Sequence, residues 1–203
     1  MKPFRVVEMV VVVVVAVICA SCAGVAKEKK TADGVFLPPP GRSYEVLGER
    51  AGLRGFVVKY DDRFYRGGAP RTSAAAKSLK NLGIKTVISV RPTSWERRFC
   101  KRNGFALVEI PFSSTSGLSF KELKRFLDVV RLGKGPFYVH SLYGAQRAGG
   151  LGVVYRLHVQ GWRYEDAITE FGRLGGDLLK GNAMLESVKD APAPNFSRPV
   201  PAE

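Results

Sequence analysis

The sequence predicts an α/β fold in which a mainly parallel sheet is flanked by helices. Short apolar runs rich in β-branched residues, such as 86–90, indicate buried strands. Longer amphipathic runs, such as 119–132, separate them and indicate helices. Alternation of this kind favours parallel strands covered by helices on both faces, with ligands bound beyond the carboxyl ends of the strands.

Five segments have the composition of short strands, because they are apolar or β-branched and are bounded by turn-forming residues. In chain order, the predicted strands are 56–60, 63–66, 86–90, 105–110 and 136–140. Asp61 and Asp62 separate the first two strands, which predicts a tight turn between them. The run TVISV at 86–90 has the strongest character of a fully buried strand.

Six segments have the apolar spacing and the end signals of helices. In chain order, the predicted helices are 72–82, 94–103, 119–132, 148–160, 164–174 and 177–188. Gly83 and Gly104 follow the first two helices, as C-terminal caps often do. Ser119 precedes the third helix and Glu122 follows three residues later, which is the pattern of a capping box.

The chain divides into four parts by composition. Residues 1–26 begin with a basic stretch, continue as an apolar run and end in small residues, which is the order of an export signal. Residues 27–50 are predicted to be a polar and Pro-rich linker, and residues 51–190 to be the folded domain. Residues 191–203 form a Pro-rich tail.

Three routes of processing fit this N-terminus. The segment Cys-Ala-Ser-Cys that ends at Cys22 resembles a bacterial lipoprotein signal, which implies lipidation of Cys22. Ordinary cleavage after Ala23 would instead release a soluble exported protein, and the apolar segment 9–26 is just long enough for a retained single-span anchor. The predicted location is the bacterial cell envelope, where the exported chain would be tethered through a lipidated Cys22 or a single membrane span.

Positive charge dominates the chain, with 32 Lys and Arg against 18 Asp and Glu and a net charge of +14. This charge favours anionic partners, such as phosphorylated lipids, proteins or sugars, although a solvated basic surface explains it equally well. No nucleic-acid-binding module is recognisable, so nucleic acid is not expected as a partner. With two histidines there is no metal constellation, and no cofactor is expected.

The segment 139–149, VHSLYGAQRAG, carries the candidate chemistry. A predicted strand runs into a short loop that contains Gly144, and Arg147 opens a long helix. Inward-pointing loop amides and the positive end of the helix form a cradle for an anion. The planar guanidinium of Arg147 can donate hydrogen bonds to two phosphate oxygens at once.

This segment resembles the signature loop of the protein tyrosine and dual-specificity phosphatases, in which His-Cys is followed by five residues, Arg, Ser or Thr, and Gly. The matching residues are His140, Gly144, Arg147 and Gly149, and the resemblance extends over 56–174 through the segments FYRGGAP, LGIKTVI and GW. It implies a cysteine-phosphatase-like fold of the compact bacterial and fungal type, with the signature loop between strand and helix. The implied phosphate-binding residues are Ser141, Leu142, Tyr143, Gly144, Ala145, Gln146 and Arg147.

Three groups that drive turnover in that family are missing here. Ser141 occupies the position of the nucleophilic cysteine, and its hydroxyl ionises far less readily than a thiol. The loop 111–117, where the family carries an aspartate as general acid, has no carboxylate. Ala148 replaces the Ser or Thr that follows the arginine. His140 does not compensate, because adjacent strand residues point to opposite sides.

These departures predict a pseudophosphatase that binds a phosphorylated ligand through Arg147 and the loop amides. Two other functions remain open: slow hydrolysis of phosphomonoesters, and a purely structural role in protein interaction. The structural role would have Arg147 paired with a carboxylate instead of a ligand.

Overall fold

A computed structural model of the chain describes residues 29–30, 36–37, 41 and 43–189. Strands β1 (Lys29–Lys30) and β2 (Phe36–Leu37) form a short antiparallel pair. The predicted export signal, Cys22 and the Pro-rich tail lie outside the described residues. Within the described part of the chain, no helix is long and apolar enough to cross a membrane.

The centre of the molecule is a six-stranded mixed sheet. Its strands are β3 (Glu45–Glu49), β4 (Phe56–Lys59), β5 (Phe64–Gly68), β6 (Thr86–Ser89), β7 (Ala106–Glu109) and β8 (Phe137–Ser141). Their order across the sheet is β3-β4-β5-β8-β6-β7. Strands β5, β8, β6 and β7 are parallel, whereas β3 and β4 are antiparallel additions at one edge. The predicted mainly parallel sheet is therefore confirmed.

The sheet begins earlier than the sequence predicts. Strand β3 lies in the segment assigned to the linker, and it pairs with β4 with a register shift between Val46 and Gly48. Three of its five residues are only partly buried. A short edge strand of this kind has no clean alternation of apolar and polar residues, so its pattern does not separate it from a linker.

In the part of the chain that the structure describes, six helices cover the sheet. They are α1 (Ala74–Asn81), α2 (Ser94–Asn103), α3 (Phe120–Leu132), α4 (Arg147–His158), α5 (Tyr164–Arg173) and α6 (Asn182–Lys189). Gly104 caps α2 in the left-handed conformation, and Ser119 forms the predicted capping box with Glu122. Helix α6 begins five residues later than predicted, because the Asp177 carboxylate accepts hydrogen bonds from two of the next three amides and closes a turn there.

Two apolar layers hold the helices on opposite faces of the sheet. Buried residues of α1 and α2, such as Leu79 and Phe99, pack on one face. Buried residues of α3 to α6, such as Leu127 and Leu151, pack on the other. Strand β8 is buried along its whole length between β5 and β6, so the segment that follows it leaves the sheet near its middle.

Candidate active site

The signature loop lies at the carboxyl ends of the parallel strands. Strand β8 ends at Ser141, and helix α4 begins at Arg147, so the five intervening residues connect the central strand to a buried helix. Ser141 lies beside Gly68 of β5 in the sheet register. The loop is therefore fixed at one end by a wholly buried strand and at the other by a largely buried helix, which preorganises it for a ligand.

Close backbone packing shapes the loop. The amide of Ala69 donates to the carbonyl of Leu142 at 3.2 Å. Gly144 has a φ of +80°, and a Cβ at this position would lie 2.3 Å from the carbonyl carbon of Gly67. A residue with a Cβ would clash with Gly67 and would rarely adopt this φ. Glycine at position 144 therefore allows the loop to pack closely on β5.

Ser141 lies at the base of the loop and is 5% exposed. Its Oγ accepts a hydrogen bond from the amide of Gly144 at 3.2 Å, so at least one loop amide points toward the nucleophile position. The neighbouring His140 side chain lies away from this hydroxyl and pairs through Nε2 with the buried carboxylate of Glu96. No serine–histidine pair is formed, as expected for adjacent strand residues.

Glu96 is the buried carboxylate nearest to this region, and sequence reasoning did not identify it. It contacts His140 and accepts a hydrogen bond from the Ser89 hydroxyl at 2.9 Å. Thr93 caps α2 by accepting from the Glu96 amide, so the local pattern Thr-x-x-Glu predicts only a capping box. The Glu96 side chain turns inward instead because the tertiary fold brings β8 beside α2.

Arg147 is half-buried at the start of α4. Its guanidinium donates long hydrogen bonds to the carbonyls of Val90 and Phe112, at 3.4 and 3.3 Å. Burial, and secondarily the positive charge of Arg91, lowers the pKa of Arg147 below its ordinary value. Among residues 43–189, no carboxylate contacts Arg147, so within this range its positive charge has no ion-pair partner.

The loop after β7 has no acid at the site. Glu109 at the end of β7 forms a bidentate pair with Arg97, whose hydrogen bonds lower the pKa of Glu109. A general acid needs the opposite shift, because it must keep its proton near neutral pH. Asp128 on α3 pairs with Lys124 at the surface. Both carboxylates are engaged away from Ser141.

Between residues 43 and 189, two clefts flank the signature loop. The larger, of about 650 Å³, is lined by Arg147, Arg91 and the segments 90–92 and 111–114. The smaller, of about 250 Å³, is lined by Ser141, Leu142, His140, Glu96, Ala69, Pro70, Arg91 and Thr93. Arg91 lines both clefts, and no sequence motif pointed to it. Ala148, in the position of the family's hydroxyl residue, is fully buried and offers no polar group.

Cys100 is the only cysteine among the described residues, and it is buried and unpaired. Burial, reinforced by the negative charge of Glu96, raises the pKa of its thiol to about 12. The thiol is therefore protonated at neutral pH and lies in the layer between the sheet and α2, apart from the signature loop.

The family model described as "DSP-PTPase phosphatase fused to NAD+ Kinase" matches residues 56–180, more than half of the chain. The chain belongs to this dual-specificity phosphatase family. The matched span includes the whole signature loop and both clefts. None of the curated proteins compared with the chain is significantly similar to it.

Solved structures of phosphatases share the fold of this family member. A Cys-to-Ser variant of P. aeruginosa TpbA in complex with phosphotyrosine has a TM-score of 0.61 and 20% identity, and covers 74% of this chain and 96% of its own. The PP-IP phosphatase SIW14 from S. cerevisiae has a TM-score of 0.53 and 18% identity, over 76% of this chain and 88% of its own. PTPMT1 has a TM-score of 0.52 and 18% identity, over 64% and 92%. At these identities the likeness shows the cysteine-phosphatase fold.

Proposed function

We propose that this chain is a pseudophosphatase that binds a phosphorylated ligand in the loop 141–147 and hydrolyses it slowly or not at all. The observation that carries the proposal is the unneutralised guanidinium of Arg147, which adjoins a loop that has lost its reactive groups. We further propose that the N-terminus, through Cys22 or a retained span, holds the domain at the bacterial cell envelope.

The geometry around Arg147 supports binding. A half-buried arginine without a carboxylate partner is costly unless an anion occupies the site for part of the time. The amide of Gly144 points toward Ser141, and the first turn of α4 adds partial positive charge beside Arg147. The carboxylate partner that a purely structural role for Arg147 would need is absent from the described residues.

Ligands of the structural relatives are consistent with this chemistry. TpbA was solved with phosphotyrosine, SIW14 with citrate and PTPMT1 with PI(5)P, and all three ligands are anionic. The TpbA complex was obtained with a Cys-to-Ser variant, so a serine-substituted protein of this fold can hold a phosphorylated ligand.

The groups around Ser141 support impaired catalysis. Its hydroxyl has no base within hydrogen-bonding distance among the described residues, and the loop 111–117 supplies no acid. A general acid typically contributes ~10²–10⁴ to the rate. Ala148 cannot provide the hydroxyl that assists release of the nucleophile in the family. Restoring one of these groups should therefore not restore turnover.

Thermal unfolding of the full chain tests the binding proposal. Phosphate or phosphotyrosine at ~100 times its dissociation constant should stabilise the protein by about 2.7 kcal/mol. Arg147→Met should abolish this stabilisation, because it removes the cation and keeps most of the apolar stem. Arg102→Met is the matched control, since Arg102 is exposed on α2. Equal responses of both variants and the parent would exclude a phosphate site at Arg147.

Hydrolysis of an aryl phosphate tests the catalytic part of the proposal. Ser141→Cys should leave turnover at least ~10²-fold below that of an enzyme with a general acid. Turnover by the parent chain that disappears in Arg147→Met would instead identify a slow phosphatase.

A partner that crosslinks to both the parent and Arg147→Met would favour an interaction domain. Mass spectrometry of the native protein would show whether Cys22 is lipidated.

A further inference from the structure

Four large apolar side chains are exposed around the signature loop. Leu142 and Tyr143 belong to the loop itself and are 37% and 42% exposed. Leu178 and Leu179 lie in the turn between α5 and α6 and are 47% and 91% exposed. We call these four side chains the apolar rim. An exposed apolar group at a ligand site is typical of a surface that meets another molecule.

Hydrogen bonds join the two halves of the apolar rim. The Gln146 side chain donates to the carbonyl of Asp177 at 2.9 Å and accepts from the Asp177 amide at 2.8 Å. A Cβ on Gly181 would lie 2.4 Å from the side-chain amide nitrogen Nε2 of Gln146. The turn between α5 and α6 therefore packs directly on the signature loop. Because Asp177 precedes Leu178, these contacts hold both leucines beside the phosphate cradle.

Arginines accompany the apolar rim. The guanidinium of Arg54 lies 5.0 Å from the centre of the Tyr143 ring, in a cation–π contact. Arg91 lines both clefts, and Arg147 lies between the loop and the larger cleft. None of these three arginines forms an ion pair within the part of the chain that the structure describes.

Carboxylates near the apolar rim do not offset this charge. Asp177 accepts hydrogen bonds from the amides of Leu179 and Lys180, and it also lies 3.4 Å from the Lys180 ammonium. Glu96 lines the smaller cleft with Arg91, but it is almost fully buried and its carboxylate contacts His140. The face around the signature loop is therefore cationic and apolar at once.

We propose that this face docks on a lipid surface and that the signature loop takes the phosphomonoester headgroup of an anionic lipid. The inference rests on the proposed function and names its ligand class. Leucine and tyrosine side chains enter the boundary between headgroups and acyl chains, while arginines stay at the phosphates. The three leucines offer no hydrogen-bonding group to a peptide backbone, so acyl chains match them better than a phosphopeptide does.

Calorimetric titration of the full chain with two soluble phosphomonoesters tests this inference. The first ligand is glycerol 3-phosphate, and the second is dihexanoyl phosphatidic acid below its critical micelle concentration. Both carry the same phosphate group, and only the second carries acyl chains. We expect the lipid to bind at least about tenfold more tightly, because each buried methylene adds to the affinity. A phosphotyrosine peptide is the third ligand.

Variants of exposed leucines locate the effect. The double substitution Leu178→Ser and Leu179→Ser should remove most of the advantage of the lipid over glycerol 3-phosphate. Leu132→Ser is the matched control, because Leu132 is 66% exposed and ends α3, near the start of β8 and away from the loop. This control should retain the full tenfold advantage.

The outcomes separate this inference from the proposed function. Equal affinity for the two phosphomonoesters, or an advantage that the double variant retains, would overturn the lipid surface and leave phosphate binding intact. A leucine-dependent gain for the phosphotyrosine peptide alone would identify a protein interface and also overturn it. If glycerol 3-phosphate, the lipid and the phosphotyrosine peptide all fail to bind, the proposed function itself fails.

Discussion

Replacing Gly144 with alanine probes how tightly the signature loop is built. The residue has a φ of +80°, which L-residues with a side chain rarely adopt. The added Cβ would lie 2.3 Å from the carbonyl carbon of Gly67 and 2.5 Å from its oxygen. These atoms belong to the buried strand β5, so they cannot move aside as the end of a flexible side chain would.

The cost of Gly144→Ala has two parts. The left-handed backbone conformation costs ~1–2 kcal/mol for a residue with a Cβ. Overpacking against a rigid neighbour typically adds ~1–3 kcal/mol. Gly144→Ala should therefore lower the free energy of unfolding by about 2–5 kcal/mol. The loop must also shift away from β5, so affinity for phosphate should fall as well.

Gly104 provides a matched control for the conformational part. Its φ is +78°, nearly that of Gly144, but apart from its chain neighbours no heavy atom of the described residues lies within 4 Å of the position that its Cβ would take. Gly104→Ala should therefore cost only ~1–2 kcal/mol. It caps α2 and is distant from the loop in sequence, so phosphate binding should be unchanged.

Urea unfolding of the two variants, followed by linear extrapolation, measures the comparison. The difference between their free energies of unfolding isolates the steric contact with Gly67. Equal destabilisation by both substitutions would refute the close packing of the loop on β5. Phosphate affinity in Gly144→Ala equal to that of the parent would refute its role in shaping the cradle.

Three further predictions follow from buried groups. Glu96→Ala should lower the free energy of unfolding by about 3–5 kcal/mol, because it leaves the buried His140 without its partner. Arg97→Ala breaks an exposed ion pair and should cost no more than ~1 kcal/mol. Urea unfolding of both variants measures the difference, and equal losses would contradict the prediction. Cys100, whose pKa burial raises to about 12, should resist alkylation at about pH 8 until the protein unfolds, and rapid labelling of the folded protein would contradict this. Burial also raises the pKa of Tyr60 to about 12 from an ordinary value of 10.0. The Tyr60 hydroxyl therefore ionises at a lower pH in the unfolded chain than in the folded one. The free energy of unfolding should fall as the pH rises from about 10 to 12. Tyr60→Phe should flatten this dependence in pH-dependent unfolding, and an unchanged slope would contradict it.

Local signals made much of the fold predictable. The capping box at Ser119 and the left-handed cap at Gly104 set helix ends through contacts within a few residues. Strand β6 is buried along its whole length because both its faces are covered, and its two central residues are apolar and β-branched. In these places, composition and spacing correspond directly to the local structure.

Elements that depend on distant contacts were harder to predict. Strand β3 exists because β4 offers it an edge, and its own sequence resembles a linker. The late start of α6 follows from the turn that the Asp177 carboxylate closes, and Gln146 contacts the backbone of that turn from thirty-one residues away. Neither contact leaves a periodic pattern in the segment concerned.

The sequence by itself determined the order of strands and helices from β4 onward, the position of the signature loop, and the absence of a cysteine from its nucleophile position. Residue identity and short-range spacing are sufficient for these features. Only the tertiary structure decided that Arg147 has no carboxylate partner among the described residues, that Glu96 is buried against His140, and that leucines from two separate loops share one face. These properties depend on which segments meet after folding, and residues far apart in the chain become neighbours only when the sheet and its helices pack together.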